Sequence, residues 1–220
     1  MIICAISDLH GNLNFNIDKC DLLLICGDIV PLNIQMNHRK SRKWIVNDFE
    51  EWCNNQPCDK VLFIGGNHDM CMENHTVFYE KVFPISNKVT YLYNSEYVYN
   101  NIRIYGTPFC KRFGNWAFNS DKLETIYSSI PKGLDILITH DAPYGTTDVV
   151  LQKDSWNTGE HLGNIPLREA IIDKVPKLVF HGHIHSSKRE FEQLGESLVT
   201  NCSLLDEYYN MIYSPIYYEY

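Results

Sequence analysis

The sequence predicts an α/β fold with mixed sheet pairing. Three observations lead there. Short apolar runs end repeatedly in polar loops, helix-like stretches separate several of those runs, and hairpin signals appear in the middle and at the end of the chain. The 220 residues suit one domain, 1–220, with enough volume for a substantial core.

The elements follow in order. Ile2 to Ile6 reads as a buried strand and opens into Ser7-Asp8-Leu9-His10-Gly11-Asn12. Asp21 to Cys26 repeats the pattern, with an apolar run from Leu22 to Cys26 followed by Gly27-Asp28. Arg39 to Trp52 reads as a helix, with Trp44, Ile45, Phe49 and Trp52 at helical spacing. Val61 to Ile64 is a third strand, followed by Gly65-Gly66-Asn67-His68-Asp69. Val89 to Tyr93, Tyr97 to Tyr99 and Ile102 to Tyr105 are β-like, and Asn100-Asn101 suits a tight hairpin turn. Asp121 to Ile130 reads as a helix with Ser120 as its N-cap. Asp135 to Thr139 is a strand leading into His140-Asp141-Ala142-Pro143, and Pro166 to Val175 is a helix. Leu178 to Phe180 is a strand leading into His181-Gly182-His183-Ile184-His185. Arg189 to Leu194 and Ser197 to Asn201 form a hairpin around Gly195. The Tyr-rich tail, Tyr208 to Tyr220, has two readings, a terminal strand or a segment laid over the surface.

Composition narrows the function classes. Apolar residues make up 45% and charged residues 21%, ordinary for a globular chain, and the net charge is −8. The densest basic stretch is Arg39-Lys40 with Arg42-Lys43, a helix surface rather than a phosphate-tracking groove, which argues against polymeric nucleic acid as a partner. No run reaches the length of a membrane span. The eight cysteines form no CxxC pair, so a reducing, cytoplasmic compartment is expected.

Five strand ends carry acidic, amide or imidazole groups: Asp8 with His10, Asp28, Asn67 with His68, His140, and His183 with His185. In α/β folds ligands collect at the carboxyl ends of strands. Carboxylate, imidazole and amide oxygen suit divalent ions such as Mn, Fe, Zn or Ni, and no cysteine sits among them to make a thiolate zinc site. In Asp8-x-His10 and His183-x-His185, alternate residues of an extended segment face one side. Taken singly, each cluster also has a structural reading: Gly27-Asp28 as a turn, Gly66 to Asp69 as a loop entering a helix, His140 as a buried histidine.

The ordered set resembles the calcineurin-like metallophosphoesterase superfamily, whose pattern is D-x-H, G-D, G-N-H-D/E, a lone H, and G-H-x-H. Asp8-Leu9-His10, Gly27-Asp28, Gly66-Asn67-His68-Asp69, His140 and Gly182-His183-Ile184-His185 match every motif. The resemblance implies a four-layer α-β-β-α sandwich and two divalent ions, Mn²⁺ favoured. Asp8, His10, Asp28 and His185 would hold one ion, and Asp28, Asn67, His140 and His183 the other. It further implies hydrolysis of a small phosphoester by a metal-bridging hydroxide, with His68 as proton donor and Asp69 orienting His68 or capping the next helix. The segments Tyr105 to Phe109, Trp116 to Asn119 and Ile138 to Gly145 are similar to a subgroup of small metallophosphoesterase-domain proteins first noted in brain, some of which hydrolyse cyclic nucleotides. Some members lack a ligand in the last motif, whereas His183 and His185 are both kept here. A phosphodiesterase acting on a small or cyclic nucleotide is therefore expected. A phosphomonoesterase or phosphoprotein phosphatase is the alternative, and a non-catalytic module is a third reading.

Substrate choice is expected from the loops. Lys111, Arg112, Phe113 and Trp116 are candidates for phosphate contact and stacking, or else simply pack their loop. Thr146, Thr147, Asp148 and Trp156 form a second candidate wall. His181 is either a supporting or a buried residue, and His38, His75 and His161 read as surface or packing residues.

Overall fold

A computed structural model describes residues 1–73 and 86–220, so His75 lies outside the described residues. The strands are β1 (Ile2–Ile6), β2 (Leu22–Ile25), β3 (Lys60–Phe63), β4 (Val89–Tyr91), β5 (Ser95–Tyr99), β6 (Ile102–Thr107), β7 (Cys110–Lys111), β8 (Asn119–Ser120), β9 (Ile136–Thr139), β10 (Leu178–His181), β11 (Glu192–Leu194), β12 (Ser197–Asn201) and β13 (Ile216–Glu219). The helices are α1 (His38–Trp44), α2 (Glu50–Asn55), α3 (Leu123–Ser128) and α4 (Ile165–Lys174).

One large sheet runs β13-β1-β2-β3-β4 and the other β11-β12-β10-β9-β6-β5, while β7 and β8 pair in a small sheet of their own. The inner strands of both large sheets pair in parallel, while β13, β11 and β5 pair antiparallel at the edges, so both are mixed. Fully buried apolar strands suit parallel pairing with both faces covered. Ile3, Ala5, Leu24 and Leu62 meet Ile104, Ile136, Ile138 and Phe180 between the sheets. Cys4, Ile25, Val61 and Phe63 pack outward on Ile45, Phe49 and Cys53. Tyr105, Leu137 and Val179 pack outward on Leu123, Tyr127, Leu167 and Ile171. The layers are thus α-β-β-α, with each fully buried large side chain contributing about 1.5–3 kcal/mol over its exposed state.

Local chemistry explains where the elements stop. The helix expected over 39–52 runs from His38 to Asn55 and widens to a π-helical turn over Ile45–Phe49. Asn37 caps its start by accepting from the Lys40 amide, and Gln56, which precedes Pro57, turns extended and ends it. α3 starts at Leu123, later than expected, and Ser120 is not its cap. The Ser120 hydroxyl accepts from the Lys122 amide and closes the turn before the helix. Asn164 caps α4 through the Leu167 amide, with Pro166 in the first turn. Asn100 and Asn101 both take positive φ in the β5–β6 turn. The tail realises both of its readings: β13 adds to the edge of β1, and residues 206–211 lie over the strand ends.

Among the described residues no helix is long and apolar enough to cross a membrane.

Candidate metal centre

β1, β2 and β3 in one sheet, and β9 and β10 in the other, deliver Asp8, Asp28, Asn67, His140 and His183 from their carboxyl ends. The two sheets are tied together at that end, where Ser7 bridges Ser203 and the Leu204 amide donates to the Ser7 carbonyl at 3.1 Å. Ligands from different sheets therefore meet.

The backbone there is held in unusual conformations. Asp8 (φ 57°), His10 (φ 42°), Asp28 (φ 52°) and His183 (φ 73°) all lie in the left-handed region. Each costs on the order of 1–3 kcal/mol and persists only where the surroundings over-determine it. Here the amides of Asp8 and His10 donate to the carbonyls of Gly27 and Asp28 at 3.0 and 2.9 Å, locking two loops together. Two motif glycines have a steric reason. A Cβ on Gly66 would overlap the Asp28 carboxylate, and one on Gly182 would overlap the Ser7 and Asp8 side chains.

Asp28 Oδ2 stands 3.7 Å from His10 Nε2 and 3.4 Å from His140 Nε2, and Asp8 Oδ1 stands 3.3 Å from His185 Nε2. His140 Nε2 is also 2.9 Å from Asn67 Oδ1. The outer nitrogens are anchored: His140 Nδ1 donates to the Cys26 carbonyl at 2.8 Å and His185 Nδ1 to the Asp206 carbonyl at 2.9 Å. That leaves Nε2 of each facing the carboxylates, the arrangement by which outer partners orient metal-binding imidazoles. The His183 ring lies 5.0 Å from the His140 ring, and its amide donates to Asp8.

Electrostatics match the geometry. Burial opposes ionisation of Asp8 and Asp28, but the imidazoles beside them outweigh it and hold both carboxyls below the ordinary range. Burial likewise disfavours the charged imidazoles, yet Asp28 raises His140 to about 10 and Asp8 raises His185 to about 9. His10 goes the other way, pushed down to about 4 by burial. Its two ring nitrogens are buried without a hydrogen-bond partner. A buried polar atom left so is costly, and a cation is a partner that a neutral imidazole can accept. The groups Asp8–His10–His185, His10–Asp28–His68 and Asp8–Asp28–His140 each bring their donor atoms within 4.8 Å of one another, so the residues present fit divalent ions.

The remaining expected residues divide. His68 stands beside the cluster, its ring 4.7 Å from that of His10, its amide donating to Asp28 Oδ1 at 2.7 Å and its Nδ1 bonded to Gln35 Oε1. Among the described residues the Asp69 side chain makes no hydrogen bond to His68 and caps no helix. Its carboxylate instead accepts from the amides of Ile29, Val30 and Gly66 at 3.0, 2.9 and 2.8 Å, buried donors that it satisfies. Trp116 lies 4.3 Å from His68 and Phe113 5.3 Å from His183, ring to ring. Lys111 and Arg112 instead line a separate cavity of about 320 Å³ beside α3 and α4, with Arg112 paired to Asp121 at 2.7 Å. Thr147 meets His181 Nε2 at 2.7 Å and Asp148 pairs with His161, so these tie loops to one another. Burial lowers His181 to about 4. Trp156 is 90% exposed and lines a cavity that reaches His183, while His38 is exposed on α1.

Two site residues escape sequence reasoning. Gln35 carries no motif signal. Tyr209 sits 4.9 Å from His10 and 5.4 Å from His185, and its only sequence signal is the Tyr-rich tail.

A family model described as calcineurin-like phosphoesterase matches residues 1–187. Among curated proteins, metallophosphoesterase domain-containing protein 1 of Homo sapiens and that of Mus musculus are each 26% identical over 96% of this chain and 68% of their own length. Among solved structures, the phosphopantetheinyl hydrolase of Mycobacterium tuberculosis shares the fold, with a TM-score of 0.55 at 12% identity over 91% of this chain and 88% of that one.

Proposed function

Because the chain belongs to the calcineurin-like phosphoesterase family, whose members are metal-dependent, we propose that it hydrolyses a phosphodiester, a small or cyclic nucleotide, at a centre for two divalent cations with Mn²⁺ preferred. In this reading Asp8, His10, Asp28 and His185 hold one cation, and Asp28, Asn67, His140 and His183 the other. The observation that carries it is the position of Asp28 Oδ2, within 3.7 Å of His10 and 3.4 Å of His140, so one carboxylate oxygen reaches imidazoles assigned to both cations. When bound, the cations supply Lewis acidity toward phosphoryl oxygens and bring the pKa of water toward neutrality.

The chain's own residues do the rest. Asn67 contributes an oxygen without negative charge, which keeps the centre attractive to an anion. Gln35 Oε1 accepts from His68 Nδ1, so Nε2 is the nitrogen left free to pass a proton. His68 donates that proton to the oxygen of the departing alkoxide as the ester bond breaks.

With Mn²⁺, the protein is expected to turn over bis(p-nitrophenyl) phosphate or a cyclic nucleotide faster than p-nitrophenyl phosphate. The reverse order would move the reading to a phosphomonoesterase, and absence of diester turnover would remove it. His68→Ala is expected to keep its metal content while kcat falls by about 10²-fold or more. Unchanged turnover would remove the role given to His68.

A further inference from the structure

The Tyr-rich tail lies beyond residues 1–187 matched by the family model, yet it reaches the mouth of the metal centre. Its turn is closed from within. The Asp206 carboxylate accepts from the amides of Tyr208 and Asn210 at 2.9 and 2.8 Å, and the Tyr209 amide donates to the Asp206 carbonyl at 2.9 Å. This closure holds Tyr209 at φ 64°, a conformation that a bulky residue seldom takes and that accompanies functional positions.

The Tyr209 ring stands upright on two proposed ligands, at 90° to His10 and 88° to His185, and is 6.5 Å from His68. The residue remains 39% exposed, at the surface of the protein. Trp116 lies against His68 and Phe113 against His183. Three aromatic rings from two loops far apart in sequence thus surround the imidazoles. Lys111 and Arg112, which precede Phe113, line the separate cavity instead. The rim therefore offers stacking faces where a rim that tracks phosphates would offer cations.

Resting on the phosphoesterase reading above, we propose that Tyr209 is a specificity-determining residue. Its ring stacks on the flat aromatic group of the substrate, with Trp116 and Phe113 completing the collar, and so selects aryl and nucleoside phosphoesters over aliphatic ones.

Phenylphosphonate and methylphosphonate share a headgroup and are not hydrolysed, so calorimetric titration of the Mn²⁺-loaded protein reads this preference without turnover. The unsubstituted chain is expected to bind phenylphosphonate about 5-fold or more tighter than methylphosphonate, the lower end of what one aromatic stack contributes. Tyr209→Leu keeps an apolar cover over His10 and His185 but removes the π-face, and is expected to bring the two affinities close together. Tyr209→Phe, and Tyr209→Trp as a second guard against misfolding, are expected to retain the preference. Two results would overturn the proposal: no preference in the unsubstituted chain, or an unchanged ratio in Tyr209→Leu, which if accompanied by a loss of Mn²⁺ affinity would make Tyr209 a support for His185. Failure of the phosphodiesterase reading shows separately, as absence of diester turnover, and leaves the phosphonate ratio measurable.

Discussion

The buried ligand cluster and the rim above it are built by different means. Asp8, Asp28, Asn67, His140 and His183 each lie within a few residues of the carboxyl end of a parallel strand, whose ladder fixes where the chain leaves the sheet. Asp8, Asp28, Asn67 and His140 are almost wholly buried. The rim residues Phe113, Trp116 and Tyr209 come from loops, and Phe113 and Tyr209 stay exposed. Two positions along the chain change the destination of a side chain, since Lys111 lines the cavity beside α3 and α4 whereas Phe113 lies against His183. Strand ends place the candidate ligands with little freedom, whereas loop conformation sets which rings stand over them.

Five substitutions test that contrast, from the metal-site change with the largest expected effect down to the rim. Asp28→Asn removes the carboxylate shared between His10 and His140. It is expected to lower Mn²⁺ affinity beyond the roughly 10–100-fold seen when outer partners of a metal site are lost, and turnover with it. Calorimetry and metal analysis read this, and retained affinity would mean that Asp28 is not shared.

Glycine substitutions compare the two regions directly. Gly182→Ala would force a Cβ into Ser7 and Asp8 and is expected to destabilise the fold by about 1–3 kcal/mol in a urea titration. Gly114→Ala, in the rim loop, meets only Trp116 at ordinary contact distance and is expected to cost about 1 kcal/mol, from its φ of +52°. Equal costs would erase the distinction between a crowded centre and an open rim.

The smallest effect is expected at Arg112. Its exposed pair with Asp121 contributes at most about 1 kcal/mol, so Arg112→Ala should leave kcat/KM within about threefold. Trp116→Ala should raise KM by about 5-fold or more through loss of a stacking face. Steady-state kinetics on one diester separates the two.

By itself the sequence determined the α/β class, most of the elements and the ordered set of candidate ligands that follow strand ends. Those signals are local: an apolar run that ends in a polar loop carrying a chelating side chain, with a glycine directly before Asp28, Asn67 and His183. Tertiary structure alone decided the rest. Asp69 lies next to His68 in sequence, but its carboxylate serves the backbone amides of Ile29, Val30 and Gly66, a partnership set by the approach of two loops. Gln35 reaches His68 across 33 residues, and Tyr209 reaches His10 across 199, contacts for which no local pattern exists. The left-handed backbone at Asp8, His10, Asp28 and His183 is equally invisible in sequence. Those conformations are locally unfavourable, and the packed sheets and locked loops around them make them the stable choice.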